Sequence, residues 1–525
     1  MPNPRPRRVL VIGGGVAGLV TLRNLIKLGE QKGHFDRVEL VERRDDVGGV
    51  WYLDNPPPKS TTPRWPSPAY PGLIGNVLPE YLSYSDYPPF PTPPGHPEQP
   101  FPTLQETYEY LKGFANSLAP GRIRLNTEVV RVVEKDGPVP SKDGGNGWTV
   151  VLRDWNDGGK EREEEWDAIV SAVGYYDTPV WPDVPGLDKV REAGLAEHAK
   201  TYRGPQGLEG KRILVIGNAN SSNDIAAHAA PIAQTPVYRS IRRPALFNFP
   251  SLPDPRIKDV APVREYELIE AEDGAKKVRA TLTDGTVIDN IDLVRLGTGY
   301  RPFPAFVHVR AHPAALPSPS TTAAPASLMS PPPSPHRIPA LHRHILYAPN
   351  PSLAFNGSAM SHTPFTIADI TSAWTALAWT GEVAYPESVE ERLRSEQERL
   401  HDGTLPGAKS DASENVNGTA TNGTTPWTSG PSDGLTYNVF GGYEQEYAAG
   451  IRADIVKARP ELHTVLPEWN DERTRQREAM YALKYKSLEW ARNKREAEAR
   501  ARQEAEAKAQ EQAGAKAGQA EAAAA

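Results

Sequence analysis

An α/β fold of two doubly wound, three-layer units, the second inserted into the first, is what this sequence predicts. Three stretches predict it. Arg8 to Gly18, RVLVIGGGVAG, runs an unbroken apolar strand into glycines spaced G-x-G-x-x-G, after which Leu19, Leu22, Leu25 and Ile26 recur at helical spacing. Lys211 to Ala230, KRILVIGNANSSNDIAAHAA, repeats that order of strand, small-residue turn and helix. Between Asp292 and Phe303 a strand leads into GTGYRPF, where Gly297 and Gly299 mark the return of the chain to the first unit.

In the first unit Gly13 permits the tight turn, Gly15 lets a pyrophosphate approach the backbone, and Gly18 lets helix and strand pack closely. Val16 and Ala17 open a helix whose free N–H groups and partial positive charge suit phosphates. The next strand, Val38 to Glu42, ends on an acid 24 residues after Gly18, the spacing at which a carboxylate holds ribose hydroxyls. Arg43 follows it. Gly48 and Gly49 then suit a loop lying close to a flat cofactor, with Val50 and Trp51 beside it. From Asp54 to Pro102 the chain is rich in proline and aromatics, and Asn76 sits inside that loop.

Further along, Leu104 to Leu118 reads as an amphipathic helix. Ile123 to Val133, which carries the cofactor-side candidate Val129, pairs with Gly147 to Arg153 across the polar stretch Lys135 to Gly145. Asp167 to Val173 is another apolar strand, and Gly174 lets the chain leave it near a ligand.

In the second unit Gly217, Ala219 and Ser222 hold the three small-residue positions, with Asn220 and Ser221 opening the helix. The following strand, Pro236 to Ser240, ends without an acid. Ser240, Arg242 and Arg243 stand there instead, and arginine suits a 2′-phosphate by bidentate pairing. The first unit is thus suited to a ribose with free hydroxyls and the second to a phosphorylated one.

Thr281 to Ile288 reads as a strand pair about Asp284-Gly285. Residues 311–336 are rich in proline, serine and alanine and read as a disordered insertion. Ile345 to Phe355 resumes order, and Ile367 to Trp379, Tyr443 to Ala458 and Asp471 to Trp490 read as helices. The division expected is 1–180 and 297–400 for the first unit, 181–296 for the second, a linker at 402–434, a helical segment at 435–490, and a charged, alanine-rich tail at 491–525 that reads as a solvated helix or frayed end.

Composition removes several function classes. The chain has 525 residues, a net charge of −7 and no cysteine. The charge argues against a nucleic-acid partner. The missing cysteine excludes zinc–thiolate sites, iron–sulfur clusters, thiol nucleophiles and the redox pair of flavin disulfide reductases. No apolar run is long enough to span a bilayer, and the start lacks a signal-peptide core, so the expectation is a soluble, cytoplasmic protein without a membrane partner. No metal site is expected.

The motifs together resemble those of flavin-containing monooxygenases of the soluble fungal type, the N- and S-oxygenating branch of class B flavoprotein monooxygenases. GGGVAG at 13–18 resembles the family's FAD motif, and E-R-x(4)-G-G-x-W, Glu42 to Trp51, its flavin-side loop. Gly194, His198 and Tyr202 match the signature F-x-G-x-x-x-H-x-x-x-Y/F, with Glu192 in place of phenylalanine. Thr298, Gly299 and Tyr300 match the family's T-G-Y segment, and residues 338–357 are also family-like.

The resemblance implies FAD and NADPH as cofactors, and small-molecule substrate and O2 as partners. It implies oxygenation of an amine nitrogen or a sulfur through a C4a-hydroperoxyflavin. It places Asn76 beside the flavin as the catalytic candidate, preceded here by Gly75 where the family usually has threonine. Three alternatives stay open: a Baeyer–Villiger ketone monooxygenase, an uncoupled NADPH oxidase, and a non-catalytic FAD-binding redox or interaction protein. The substrate and the oligomeric state, a homodimer included, are open as well.

Overall fold

The computed structural model describes residues 5–54, 64–92, 97–136, 147–242, 251–272, 274–312, 324–329, 337–401 and 437–524. Strand β1 (Arg8–Ile12) forms the centre of the first unit. It pairs in parallel with β2 (Arg37–Val41) on one side and β3 (Ala168–Ser171) on the other. The sheet continues beyond β3 through Leu353–Phe355, Leu346–Tyr347 and Leu341–His342, and beyond β2 through Ile123–Arg124. Val9, Leu10 and Val11 have no exposed surface, because both faces of the sheet are covered.

Two helices cover one face. They are α1 (Val16–Leu28), which follows the first glycine turn, and α4 (Pro364–Thr380), whose apolar side chains run all the way round because it is buried on every side. A mixed sheet of Thr127–Glu134, Trp148–Asp154, Lys160–Trp166, Val307–Val309 and Ala326–Ser327 covers the other, seating Trp148 and Val150 against Leu10 and Ile12. Helix α2 (Leu104–Ser117) starts from a capping box of Thr103 and Glu106 and closes the edge.

The second unit repeats the plan. Strand β4 (Ile213–Ile216) lies between β5 (Val237–Ser240) and β6 (Leu293–Leu296), with Ile257–Val260 and Ala196–His198 outside, all parallel. Helix α3 (Asn220–Ala229) packs on one face, and an antiparallel sheet of Val263–Glu270, Lys276–Leu282 and Val287–Ile291 packs on the other.

Several elements depart from the expectations. The strand expected over Ile123–Val133 breaks at Asn126, whose φ is +52°. One piece joins the first sheet and the other the mixed sheet. Strand Lys160–Trp166 shows no apolar alternation because it is an edge strand exposed along most of its length. Within the insertion expected to be disordered, residues 324–329 are ordered. Ala326 and Ser327 pair with Val309 and His308, and Leu328 and Met329 are buried; most of the rest of 311–336 lies outside the described residues. The polar stretch between the hairpin strands and the linker 402–434 also lie largely or wholly outside them.

Helix α5 (Val389–His401), rich in charged residues, is absent from the expected elements. Its Arg392 and Glu396 are buried, Nε of Arg392 donating to the Ala348 carbonyl at 2.7 Å and Glu396 accepting from Ala340 N–H at 2.9 Å. After α6 (Glu444–Ala458), helix α7 runs from Asp471 to Ala524 with no break at 490, since its Ala, Glu, Lys and Arg residues all favour helix. No described helix is long and apolar enough to cross a membrane.

Candidate functional site

The first turn is built where β1 meets α1. Gly13 has φ +106° and its N–H donates to the Val41 carbonyl at 2.8 Å. A Cβ on Gly18 would lie 1.8 Å from the Gly13 carbonyl oxygen, so this third glycine is what lets helix and strand meet. Gly15 faces Gly49: a Cβ on Gly49 (φ +58°) would lie 2.8 Å from the Gly15 Cα, and Gly48 N–H donates to the Gly14 carbonyl at 2.9 Å. Two glycine loops therefore lie backbone to backbone at the carboxyl end of the sheet.

Helix α1 has no side-chain cap and no acid in its first turn, which leaves the N–H groups of Val16, Ala17 and Gly18 to an anion. Glu42 closes one side of this cradle and is 6% exposed. Its Oε2 accepts from Gly14 N–H at 2.7 Å and its Oε1 from Arg44 N–H at 2.9 Å. Each oxygen keeps a lone pair for a ribose hydroxyl. Val173 and Tyr176 stand exposed just beyond β3. That apolar surface at the carboxyl end of a parallel sheet is what a bound ring system would cover.

Glycine backbones, an uncapped helix start and a buried carboxylate fit the pyrophosphate and ribose of FAD. Two contributors had no signal in the motif. Arg44 is half-buried and its Nη1 donates to the Gly49 carbonyl at 2.8 Å, holding the second loop in place. Gly357 (φ +73°) brings the strand end after Phe355 so near α1 that a Cβ there would lie 2.7 Å from the Ala17 Cβ; its position two residues past a buried strand could have flagged it. Arg43 instead turns to Asp177, at 3.0 and 3.2 Å. Burial pushes Asp177 up, but Arg43 and Lys200 outweigh it and hold the carboxyl well below its ordinary range. Val129 is half-buried against the core shared with Leu10.

The second turn reaches a similar shape with different residues. Gly217 has φ +118°. Ser222 fills the third position, fully buried, its Oγ accepting from Ala219 N–H at 3.3 Å and donating to the Gly297 carbonyl at 3.4 Å. A Cβ on Gly297 would lie 2.5 Å from that Oγ. The space a helix glycine would leave is supplied by a glycine on the neighbouring strand end. Ala219 offers no side-chain acceptor and α3 has no acid in its first turn, so Asn220 and Ser221 open a second helix start suited to phosphate.

One of the expected 2′-phosphate contacts needs correction. Ser240 is 3% exposed and donates its hydroxyl to the Ala261 carbonyl at 3.0 Å, so it shapes the strand end. Arg242 is exposed there, and Arg243 lies outside the described residues.

The segment after Trp51 ties the cradles together. Ser67 donates to the Val50 carbonyl and Arg203 Nη2 donates to the Ser67 carbonyl at 2.9 Å. Tyr70 reaches into the second unit, donating to Asp224 of α3 at 2.8 Å. His198, at the end of the outer strand of the second sheet, accepts from Lys200 N–H through Nδ1 at 3.1 Å. Its Nε2 therefore carries the proton and donates to the Gly299 carbonyl at 3.1 Å. Burial pushes His198 down to about 4, so it stays neutral and docks the crossover. Thr298 donates to the Val180 carbonyl at 2.5 Å, and Tyr300 packs edge-on against His198 and Tyr176. These three expected cofactor residues sit at the seam of the two units. Asn76 is exposed, next to Gly75, whose position lies 3.8 Å from the Trp51 ring as judged from a Cβ placed there.

Comparison with known proteins agrees with this geometry. Residues 6–245 match the family model described as flavin-binding monooxygenase-like. The chain is 28% identical over 411 residues to flavin-containing monooxygenase FMO GS-OX-like 7 of Arabidopsis thaliana, covering 74% of this chain and 76% of that protein. It is 31% identical over 240 residues to dimethylaniline monooxygenase [N-oxide-forming] 2 of Oryctolagus cuniculus, covering 45% of this chain and 40% of that one. Among solved structures it resembles S-allyl-L-cysteine S-oxygenase from Allium sativum, with TM-score 0.61, 21% identity, and coverage of 91% and 98% of the two chains.

Proposed function

We propose that this chain, whose residues 6–245 match the flavin-binding monooxygenase-like model, uses FAD and NADPH and oxygenates a soft nucleophile, an amine nitrogen or a sulfur, at the expense of NADPH and O2. The observation that carries the reading is the pair of uncapped helix starts, α1 and α3, tied to each other by Ser67, Tyr70 and Arg203. The S-oxygenase and N-oxide-forming names of similar proteins support a soft nucleophile as substrate.

Bound FAD would take a hydride from NADPH and activate oxygen, chemistry that side chains cannot supply. The residues of the chain do the rest. The first turn of α1 holds the FAD pyrophosphate, Glu42 the ribose, and Gly49 to Trp51 the wall beside the ring. The start of α3 receives the NADPH pyrophosphate, and Arg242 with Arg243 receives the 2′-phosphate. Asn76 is the catalytic residue, since an amide can donate and accept at once beside the reacting oxygen. Neutral His198 keeps the crossover docked and takes no proton. Trp51 and the loop before Asn76 exclude water.

The test is turnover of the purified, FAD-loaded chain with NADPH against a panel of amines, thioethers, thiols and ketones. The reading expects oxygenated nitrogen or sulfur product in step with NADPH consumed. Ester from a ketone would establish the Baeyer–Villiger alternative. Hydrogen peroxide equal to NADPH with every compound would establish an oxidase, and a flavin that NADPH cannot reduce would establish a non-catalytic binder.

A further inference from the structure

The longest helix of the chain, α7, places a buried ammonium group against the loop that carries Asn76. Lys484 is 8% exposed. Its Nζ donates to the Gly75 carbonyl at 2.8 Å, lies 3.5 Å from the Ile74 carbonyl, and sits 5.0 Å from the centre of the Phe101 ring. No carboxylate forms an ion pair with it among the described residues. An ammonium held in the interior by carbonyls and a ring face is costly, whereas methionine or leucine would cover Phe101 without that cost. The charge therefore calls for a use.

The rest of α7 fixes where Lys484 stands. Arg473 lies over the Tyr81 ring at 4.7 Å, and Ser487 donates to Gln99, both in the loop region of the first unit. Further along the helix, Arg492 Nη1 donates to the Pro253 carbonyl at 3.2 Å and Glu496 lies 3.5 Å from Arg256, both in the second unit. The helix thus spans the two units, with Lys484 over the loop between the cradles.

We propose that Lys484 is a positioning residue: by holding the Gly75 carbonyl it fixes the Gly75–Asn76 peptide and aims Asn76 into the cleft. The inference rests on the role given to Asn76 above. A peptide unit is planar, so anchoring its oxygen sets the direction of the Asn76 N–H and the start of its side chain. Gly75 N–H is held from the other side by the Pro102 carbonyl at 2.7 Å, so this residue is pinned at both ends. A cation on the carbonyl also polarises the peptide and strengthens the Asn76 N–H as a donor.

The anchor is sensitive to pH. Burial lowers Lys484 to about 8, while the attraction of Asp224 on α3 works against that shift. Tyr70, hydrogen-bonded to Asp224, stays protonated because burial raises it well above 10. His228 on α3 is pushed below its ordinary value by burial. In the segment 97–102, Gln99 and Phe101 face α7 and do not titrate, while Glu98 is exposed; Arg495 of α7 acts on Tyr70 and His228. Below pH 8 the ammonium grips the carbonyls; above it the neutral amine grips them less.

The experiment uses the full, FAD-loaded chain, O2 and NADPH without substrate, and reads NADPH + O2 + H⁺ → NADP⁺ + H2O2. Lys484→Met and Asn76→Ala are each expected to speed peroxide release about tenfold, with the double variant no faster than either. In the chain without flavin, amide hydrogen exchange over residues 73–78 should accelerate in Lys484→Met. Peroxide release by the unmutated protein should rise through about pH 8 and that rise should vanish in Lys484→Met; the unmutated profile stands as a test even if the variant fails to fold. Release by Lys484→Met equal to the unmutated rate, with Asn76→Ala accelerated, overturns the role of Lys484 and leaves that of Asn76. Neither variant accelerated overturns both, and additive acceleration shows that Lys484 acts elsewhere, which also overturns the proposal.

Discussion

The two nucleotide cradles make the same turn by different means. The first keeps all three glycines of its motif, and Gly18 on the helix clears the Gly13 carbonyl. The second keeps only Gly217, fills the helix position with Ser222, and takes its clearance from Gly297 on the adjacent strand end. What such a turn requires is an empty volume between strand end and helix, and either wall can provide it. A motif written along one strand–turn–helix stretch sees only one of those walls.

Breaking the first cradle has the largest expected effect. Gly18→Ala puts a Cβ 1.8 Å from a backbone oxygen that has no freedom to move. We expect a loss of about 3 kcal/mol or more and protein that no longer retains FAD, read from thermal unfolding and from the flavin-to-protein absorbance ratio.

The matching break in the second cradle is on the strand. Gly297→Ala meets Ser222 Oγ at 2.5 Å. We expect a cost of about 2 kcal/mol and a raised KM for NADPH with FAD content intact. Adding Ser222→Gly should recover part of both, since it removes the clashing Cβ and Oγ. No recovery would show that the two residues do not share the volume.

For the buried histidines, of which His198 lies at the seam between the cradles, the effect is one of pH. Burial holds His198, His342 and His362 down to about 4, from an ordinary 6.5. The folded state thus favours the neutral form, and the unfolded chain binds the extra protons first as pH falls. The stability this gives is complete above 6.5 and is lost as pH drops from 6.5 through about 4. Denaturant melts across that range should show the fall, and His198→Gln should make it shallower.

Smaller effects separate the acid of the first cradle from the cation of the second. Glu42→Gln weakens the charge-assisted bond to Gly14 N–H and should lower FAD affinity by about 1–2 kcal/mol, read by titration of the apoprotein. Arg242→Ala removes an exposed charge, so it should reduce the preference for NADPH over NADH by about fivefold, within the roughly 1 kcal/mol such groups carry.

Much of this was legible in the sequence, and the exceptions have physical causes. The apolar runs at Val9 to Ile12 and Ile213 to Ile216 could be read because a strand buried on both faces allows no polar break. The place of Glu42 at the strand end beside the first turn could be read from its spacing after the glycine motif. Ser240 misled because a hydroxyl at a strand end can serve a phosphate or a neighbouring carbonyl, and only the fold shows that Ala261 takes it. Helix α5 was invisible because Arg392 and Glu396 point inward to backbone groups far away in sequence. Lys484 lies in a stretch whose charges look like a solvated face, and nothing local marks the one that meets Gly75.

The central claim is that one chain holds FAD in the first cradle and admits NADPH to it from the second. Anaerobic mixing of the purified, FAD-loaded protein with NADPH, followed by its visible flavin spectrum, tests that most directly. The account predicts that the yellow colour bleaches with NADPH, bleaches far more slowly with NADH, and returns when oxygen is admitted. A colourless protein indifferent to added FAD, or a bound flavin that NADPH leaves oxidised, would contradict it.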